Sequence, residues 1–283
     1  MLREVRWAVP TAVLVLAVLA ATTIGCTHPD QRAYMTAERL NAGLVVSLDG
    51  VGGYNWGPQW LREGLDEAGL KAAIVIYDWS MGPKGMFVGD LVDQGHNREA
   101  ARELARMVAT YIETKPGRPV TLIGHSAGAA IVLWALEDLP KGTQVDRAIL
   151  LAPALAPDYN MAKALQAVRR HLYVMYSPAD VGLMGAGTAV FTTMDGQHSV
   201  SAGLVGFKLP RDLPIEQQRE YAKVRQVGWS FGLMKMGSYG GHMGWTTTRF
   251  AREFIAPILK GASDPGEPLV TLIPAPARQG AAG

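Results

Sequence analysis

The amino-acid sequence predicts an α/β fold: a mostly parallel, doubly wound sheet with helices on both faces. Three observations predict it. Short apolar runs recur along the chain, and they are apolar throughout instead of alternating, as strands buried on both faces must be. Segments with helical spacing of apolar residues stand between them. Pro and Gly punctuate the joints. The chain has 283 residues, 48% hydrophobic and 18% charged, which is enough apolar material for one sizeable core and too little charge for a disordered chain.

The first element in order is residues 44–48 (LVVSL), a strand that ends at Asp49-Gly50-Val51-Gly52-Gly53. Residues 58–68 have helical spacing, with Trp60, Leu61, Leu65 and Ala68 on one face. Residues 72–77 read as a strand. Residues 98–112 form an amphipathic helix, with Ala101, Leu104, Ala105, Val108 and Ile112 in one stripe and Arg and Glu opposite. Strand 120–123 and helix 127–139 follow, the latter stopped by Pro140. Strands at 148–151 and 172–176 flank a helix at 161–169. A helix is expected at 215–227 and a last one at 246–259. Residues 261–283 are rich in Gly, Pro and Ala and read as a flexible tail, with 269–273 able to add an edge segment. No internal repeat is found.

Composition narrows the function classes. The formal net charge is +2 and no run of Lys or Arg tracks a phosphate backbone, so no nucleic-acid partner is expected. One cysteine excludes an internal disulfide framework and a Cys-rich metal site. No H-E-x-x-H motif or other paired ligand set is present, so neither a metal nor another cofactor is expected.

Residues 1–25 read as an export signal: Arg3 and Arg6, then an uncharged stretch containing Ala12-Val13-Leu14-Val15-Leu16-Ala17-Val18-Leu19, then small residues ending at Gly25-Cys26. An uncleaved membrane helix and ordinary secretion are the alternatives. The position of the sole cysteine resembles a bacterial lipoprotein signal, although Thr23 stands where that family usually carries Leu. The resemblance implies lipidation of Cys26, export to the bacterial cell envelope and attachment to a membrane surface through the N-terminus. Residues 26–42 read as a polar tether, and the domain proper as residues 43–260.

Gly124-His125-Ser126-Ala127-Gly128 matches G-x-S-x-G. The motif alone is weak, and Gly228-Trp229-Ser230-Phe231-Gly232 matches it too. Context favours Ser126, which follows an apolar strand and opens a helix, the strand–turn–helix that a nucleophile elbow requires. Ser230 follows no clear strand and precedes no helix, and is expected to be a pocket or strand-edge serine.

With the elbow in place, residues 43–260 resemble an α/β-hydrolase of the lipase/esterase kind. In that superfamily the nucleophile comes first along the chain, then the acid, then the histidine. The resemblance implies a Ser126–Asp180–His242 triad. Asp180 closes Tyr176-Ser177-Pro178-Ala179-Asp180 directly after a strand, and Asp195 is the runner-up. His242 lies in Gly240-Gly241-His242-Met243-Gly244, directly before the last helix, and His198 is the runner-up. His125, beside the nucleophile, is expected to prop the elbow. The oxyanion donors implied are the N–H groups of Ala127 and Val51. The family often has His-Gly before this loop where the chain has Asp49-Gly50, so the role of Asp49 stays open.

The expected activity is serine-dependent hydrolysis of a carboxylic ester through an acyl-enzyme, on a small-molecule or lipid ester. Lipase, thioesterase, acyltransferase and peptidase share the same equipment. The rival from another class is a catalytically idle, membrane-tethered binding protein on the same fold. Tyr54, Trp56 and Trp60 follow the oxyanion loop, and Trp79, Met81, Met86 and Phe87 follow the next strand, where they serve either an apolar pocket rim or core packing.

Overall fold

The computed structural model of the protein describes residues 29–180 and 193–270. A seven-stranded sheet runs through its centre in the order β2-β1-β3-β4-β5-β6-β7. The strands are β1 (Leu44–Leu48), β2 (Ala73–Ile76), β3 (Val120–His125), β4 (Val145–Leu151), β5 (Val168–Tyr176), β6 (Val224–Gly228) and β7 (Glu267–Pro268). The first six pair in parallel; β7 pairs with β6 antiparallel.

The continuous apolar character of the strands has a simple cause. Alternate residues enter two separate cores, one on each face. Leu44, Val46, Leu48, Leu122, Leu150 and Val174 pack against the helices Gln94–Thr114 and Gly128–Asp138. Val45, Ile74, Ile123, Ile149 and Met175 pack against Trp56–Glu67 and the C-terminal helix. The doubly wound arrangement is thus the one the sequence predicts, and it delivers the C-terminal ends of β1, β3, β5 and β6 to one edge.

Several expectations are corrected. Residues 26–42 read in the sequence as a polar tether; in the structure Pro29–Tyr34 is a 3-10 helix and Ala37–Ala42 an α-helix packed on the domain. Leu40 enters the core, and its carbonyl accepts the Tyr111 hydroxyl at 2.8 Å. β4 begins at Val145 because buried Asp146, which hides the strand in the sequence, accepts the Val120 N–H at 3.1 Å and pairs with Arg169. The helix expected over 161–169 is shortened to Ala162–Gln166, since pairing of Val168 with Val145 starts β5 early.

The helix expected over 215–227 ends at Glu220, and a 3-10 turn, Tyr221–Lys223, leads into strand β6. The last helix, 248–259, contains a π turn at Ala251–Ile255, directly ahead of Pro257, which has no N–H to contribute to a regular α ladder. The edge segment expected over 269–273 is β7 at Glu267–Pro268, with Leu269 N–H donating to Val224. The export segment, Cys26 and residues 271–283 of the tail lie outside the described residues. Among those described, no helix is long and apolar enough to cross a membrane.

Candidate active site

β3 ends at His125, and the chain turns at Ser126 into the helix Gly128–Asp138. Ser126 has φ 54°, a left-handed conformation that costs a non-glycine residue energy and persists only where the surroundings enforce it. They do so here: Ser126 N–H donates to Leu151 at 2.9 Å, and its carbonyl accepts from Ala154 at 3.1 Å. Both flanking glycines are required. A Cβ on Gly124 would lie 2.6 Å from Gly128 O and Ala129 Cα, and one on Gly128 would lie 2.4 Å from Asp49 O.

The second motif is corrected in an instructive way. Ser230 does follow a strand, β6, and does precede a short helix, Phe231–Met234. Its φ is −142°, ordinary extended backbone, and a Cβ on Gly232 would meet only the Ser230 hydroxyl, at 3.7 Å. The motif is present there without the strained turn.

His242 and Asp180 meet at the same edge. His242 Nδ1 lies 2.8 Å from Asp180 Oδ1, across 62 positions of sequence. The Asp180 side chain is buried and that of His242 is 21% exposed. No hydrogen bond joins Ser126 Oγ to His242 among the described residues.

The two loops are laced by Ser177, whose hydroxyl accepts the N–H groups of Gly241 at 3.1 Å and Ala179 at 3.2 Å. The runners-up stand elsewhere. Asp195 Oδ1 accepts the Ala156 N–H at 3.1 Å, and His198 lies on an exposed loop. His96 binds the Trp79 carbonyl at 2.8 Å, and His171 faces Asp264 at 3.4 Å on the sheet.

The glycine loop after β1 lies against the nucleophile. A Cβ on Gly50 would stand 3.0 Å from Ser126 Cβ and 3.3 Å from Oγ. Gly50 N–H is taken by Asp49 Oδ1 at 2.9 Å and Gly52 N–H by buried Asp90 at 2.7 Å. Val51 N–H and Ala127 N–H donate to no acceptor among the described residues.

Asp49 is itself tied down. Its Oδ1 is 3.0 Å from His125 Nδ1, and its carbonyl accepts the Trp79 indole at 2.8 Å. Burial alone would raise the Asp49 carboxyl, but the hydrogen bond and charge of His125, with the N–H groups of Gly50 and Gly57, hold it below its ordinary value. Trp79 is core, whereas Trp56, Trp60, Met86 and Phe87 are exposed; Phe87 borders Gly52 of the loop, and Tyr54 stands 4.8 Å from Trp56 and 6.0 Å from Phe87 between ring centroids.

Sequence reasoning left out two parts of this constellation. Ser177 carried a weak signal, its place between the strand end and Asp180. The Asp49–His125 contact carried only the departure from His-Gly.

A doubly wound sheet bearing a strained serine at its strand–helix turn defines the class: a serine-type hydrolase of the α/β fold. Residues 43–197 match the model of the Hydrolase_4 family, described as serine aminopeptidase, S33, and the chain belongs to that family. Among solved structures it is similar to lipase B of Aspergillus fumigatus, at 14% identity and TM-score 0.47, over 86% of this chain and 59% of that one. It is also similar to a lipase-esterase related protein from Clostridium acetobutylicum, at 13% identity and TM-score 0.43, over 78% of this chain and 95% of that one. Est1E from Butyrivibrio proteoclasticus matches at 11% identity and TM-score 0.43, over 78% and 88%.

Proposed function

We propose that the protein cleaves a carboxylic ester through an acyl-enzyme at Ser126. The observation that carries this reading is the 2.8 Å contact between His242 Nδ1 and Asp180 Oδ1, made at the sheet edge where Ser126 is held in its strained turn. With Nδ1 donating to the carboxylate, His242 Nε2 is left as the base. Ser126 Oγ attacks the ester carbonyl carbon and its proton passes to Nε2. The tetrahedral oxyanion is received by the N–H groups of Val51 and Ala127, which donate to no acceptor among the described residues. The C–O bond to the leaving group breaks, and Nε2 returns the proton to the departing alkoxide. Water, deprotonated by the same nitrogen, then releases the acid. Asp180 keeps the ring in one tautomer and stabilises the imidazolium.

The family description favours a second reading, hydrolysis of a peptide amide at an N-terminus by the same residues. The exposed aromatic and Met residues beside the oxyanion loop favour an apolar acyl or aryl group, and with it the ester. We also propose that the protein is exported and held at a membrane surface through lipid on Cys26. A fluorophosphonate probe tests the central claim: stoichiometric labelling of Ser126, with turnover of p-nitrophenyl acyl esters above that of aminoacyl p-nitroanilides, is expected. The reverse preference would select the peptidase reading, and an unlabelled Ser126 would select an idle binding protein.

A further inference from the structure

The chain enters the domain at its catalytic edge. Gln31 donates its side-chain amide to the Ile76 carbonyl, at the C-terminal end of β2, at 3.3 Å. Further on, Arg39 donates to the carbonyls of Leu70 and Ala72, ahead of the same strand, at 3.3 Å each. The segment Pro29–Tyr34 therefore runs along β2 against the strand's direction, and it starts beside the strand's C-terminal end. That is the edge to which β3 delivers Ser126 and at which Asp180 meets His242. Cys26 precedes Pro29 by three positions, a stretch that spans at most about 11 Å. An anchor on Cys26 puts the membrane on the catalytic side of the domain.

Exposed apolar side chains gather at the same edge. Trp56 follows β1; Phe87, Val88 and Val92 follow β2; Phe231 and Tyr239 follow β6; and all six are exposed, Phe231 by 79%. In the sheet, β2 and β6 stand on opposite sides of β3, so these groups flank Ser126. Both reach the site. Phe87 borders Gly52 of the oxyanion loop, and Phe231 stands 5.2 Å from Trp229, whose ring backs Gly240 beside His242. The turns at the other edge, residues 69–72, 115–119 and 139–144, hold no exposed aromatic, Val, Ile, Leu or Met and present Lys71, Arg118 and Lys141 instead. A single exposed apolar residue is ordinary; two groups flanking a nucleophile, at the edge from which the N-terminal segment departs, form a surface.

We propose that the catalytic edge rests on the lipid bilayer that holds the N-terminus, and that the ester hydrolysed belongs to a lipid lying in that bilayer. Trp56 and Tyr239 suit the headgroup level, and Phe87, Val88 and Phe231 the boundary with the acyl chains. The substrate then reaches Ser126 between the two apolar groups without crossing open water. The orientation rests on the anchored N-terminus and the substrate on Ser126 as nucleophile, both proposed above.

The test uses the full chain reconstituted in phosphatidylcholine vesicles that contain doxyl-labelled lipid. Val88→Cys, Phe231→Cys and, at the opposite edge, Lys141→Cys each add one reactive thiol for a bimane fluorophore, Cys26 being occupied by its lipid. The labels at 88 and 231 should shift to the blue and be quenched, and the label at 141 should keep its aqueous emission. Quenching at 141 instead, or at none of the three, would overturn the orientation, as would a chain that leaves the vesicles. Mass spectrometry of the N-terminal peptide reads the lipid on Cys26 separately. The same pattern should hold in a Ser126→Ala background, so failure of the hydrolase reading is distinguishable from failure of the orientation. Val88→Ser combined with Phe231→Ser should slow hydrolysis of an ester lipid in vesicles by about tenfold, the scale of one buried apolar side chain, and leave turnover of dissolved p-nitrophenyl acetate unchanged. Equal losses on both substrates, or none on either, would overturn the bilayer lipid as substrate.

Discussion

The Ser177 hydroxyl accepts the amide N–H of Gly241 at 3.1 Å, so the loop that carries Asp180 and the loop that carries His242 are fastened at a second point besides the acid–histidine contact itself. Ser177 is fully buried. Ser177→Ala leaves two amide donors unsatisfied, which costs on the order of 1–3 kcal/mol. Denaturant unfolding should show that loss. Where His242 acts as the base, kcat should drop about tenfold while KM holds. Ser177→Thr, which keeps the hydroxyl, should restore part of both.

The two matches to G-x-S-x-G should differ sharply in consequence. Ser126→Ala should lower kcat by roughly 10³-fold or more, because the proposed acyl-enzyme forms on the oxygen it removes. Ser230→Ala should leave kcat within about twofold, since surface substitutions away from such features do little. Steady-state kinetics on both variants decides this, and comparable losses would assign the chemistry to neither.

These serines also mark how far the sequence could be read. The turn at Ser126 was legible because β3 opens on a mainly apolar run, Val120-Thr121-Leu122-Ile123, and the helix behind the serine opens at once. Asp180 and His242 were legible from chain order and strand-end position. β6 was not: Val224-Arg225-Gln226-Val227-Gly228 carries two polar residues, and its apolar periodicity merges with the preceding helix. What makes it a strand is pairing with β5, from Leu172 with Val224 to Tyr176 with Gly228, a tertiary contact with no local signature. The same holds for Asp49 and His125, 76 positions apart, whose meeting depends on β1 and β3 being neighbours.

Asp180 and His242 should behave as one unit with Ser126. Asp180→Asn and His242→Ala should each lower kcat by about 10³-fold or more, and adding either to Ser126→Ala should change the residual rate little. Double-variant kinetics measures this directly. Additive losses would mean that the contact between Asp180 and His242 serves folding alone.

Asp49 sets an acid limit on stability. Its folded-state carboxyl titrates below the ordinary value of 3.8, so its stabilisation is complete above that pH and is lost as pH falls through the depressed folded value. The difference in unfolding free energy between wild type and Asp49→Asn should be constant above about pH 5 and shrink below about pH 4. Urea unfolding at several pH values checks the sign. A difference that widens toward low pH would reverse it.

Cys26→Ser tests the N-terminus. The wild-type protein should partition into detergent and carry lipid on Cys26, and the variant should remain unprocessed. Processing of the variant like that of the wild type would overturn the lipid anchor, since cleavage would then not need Cys26.

Both outer borders of the sheet are closed, and by different means. At one, Gln31 donates its side-chain amide to the Ile76 carbonyl at 3.3 Å, so the 3-10 helix Pro29–Tyr34 lies along β2. At the other, β7 is two residues long and ends in Pro268, which has no N–H to offer. An unguarded parallel border invites strand addition by a neighbouring molecule. A chain cut back to residue 43 keeps every catalytic candidate yet loses its guard over β2. Such a truncated protein should self-associate with rising concentration, its sheets joining border to border, while the chain that retains residues 29–42 stays dispersed.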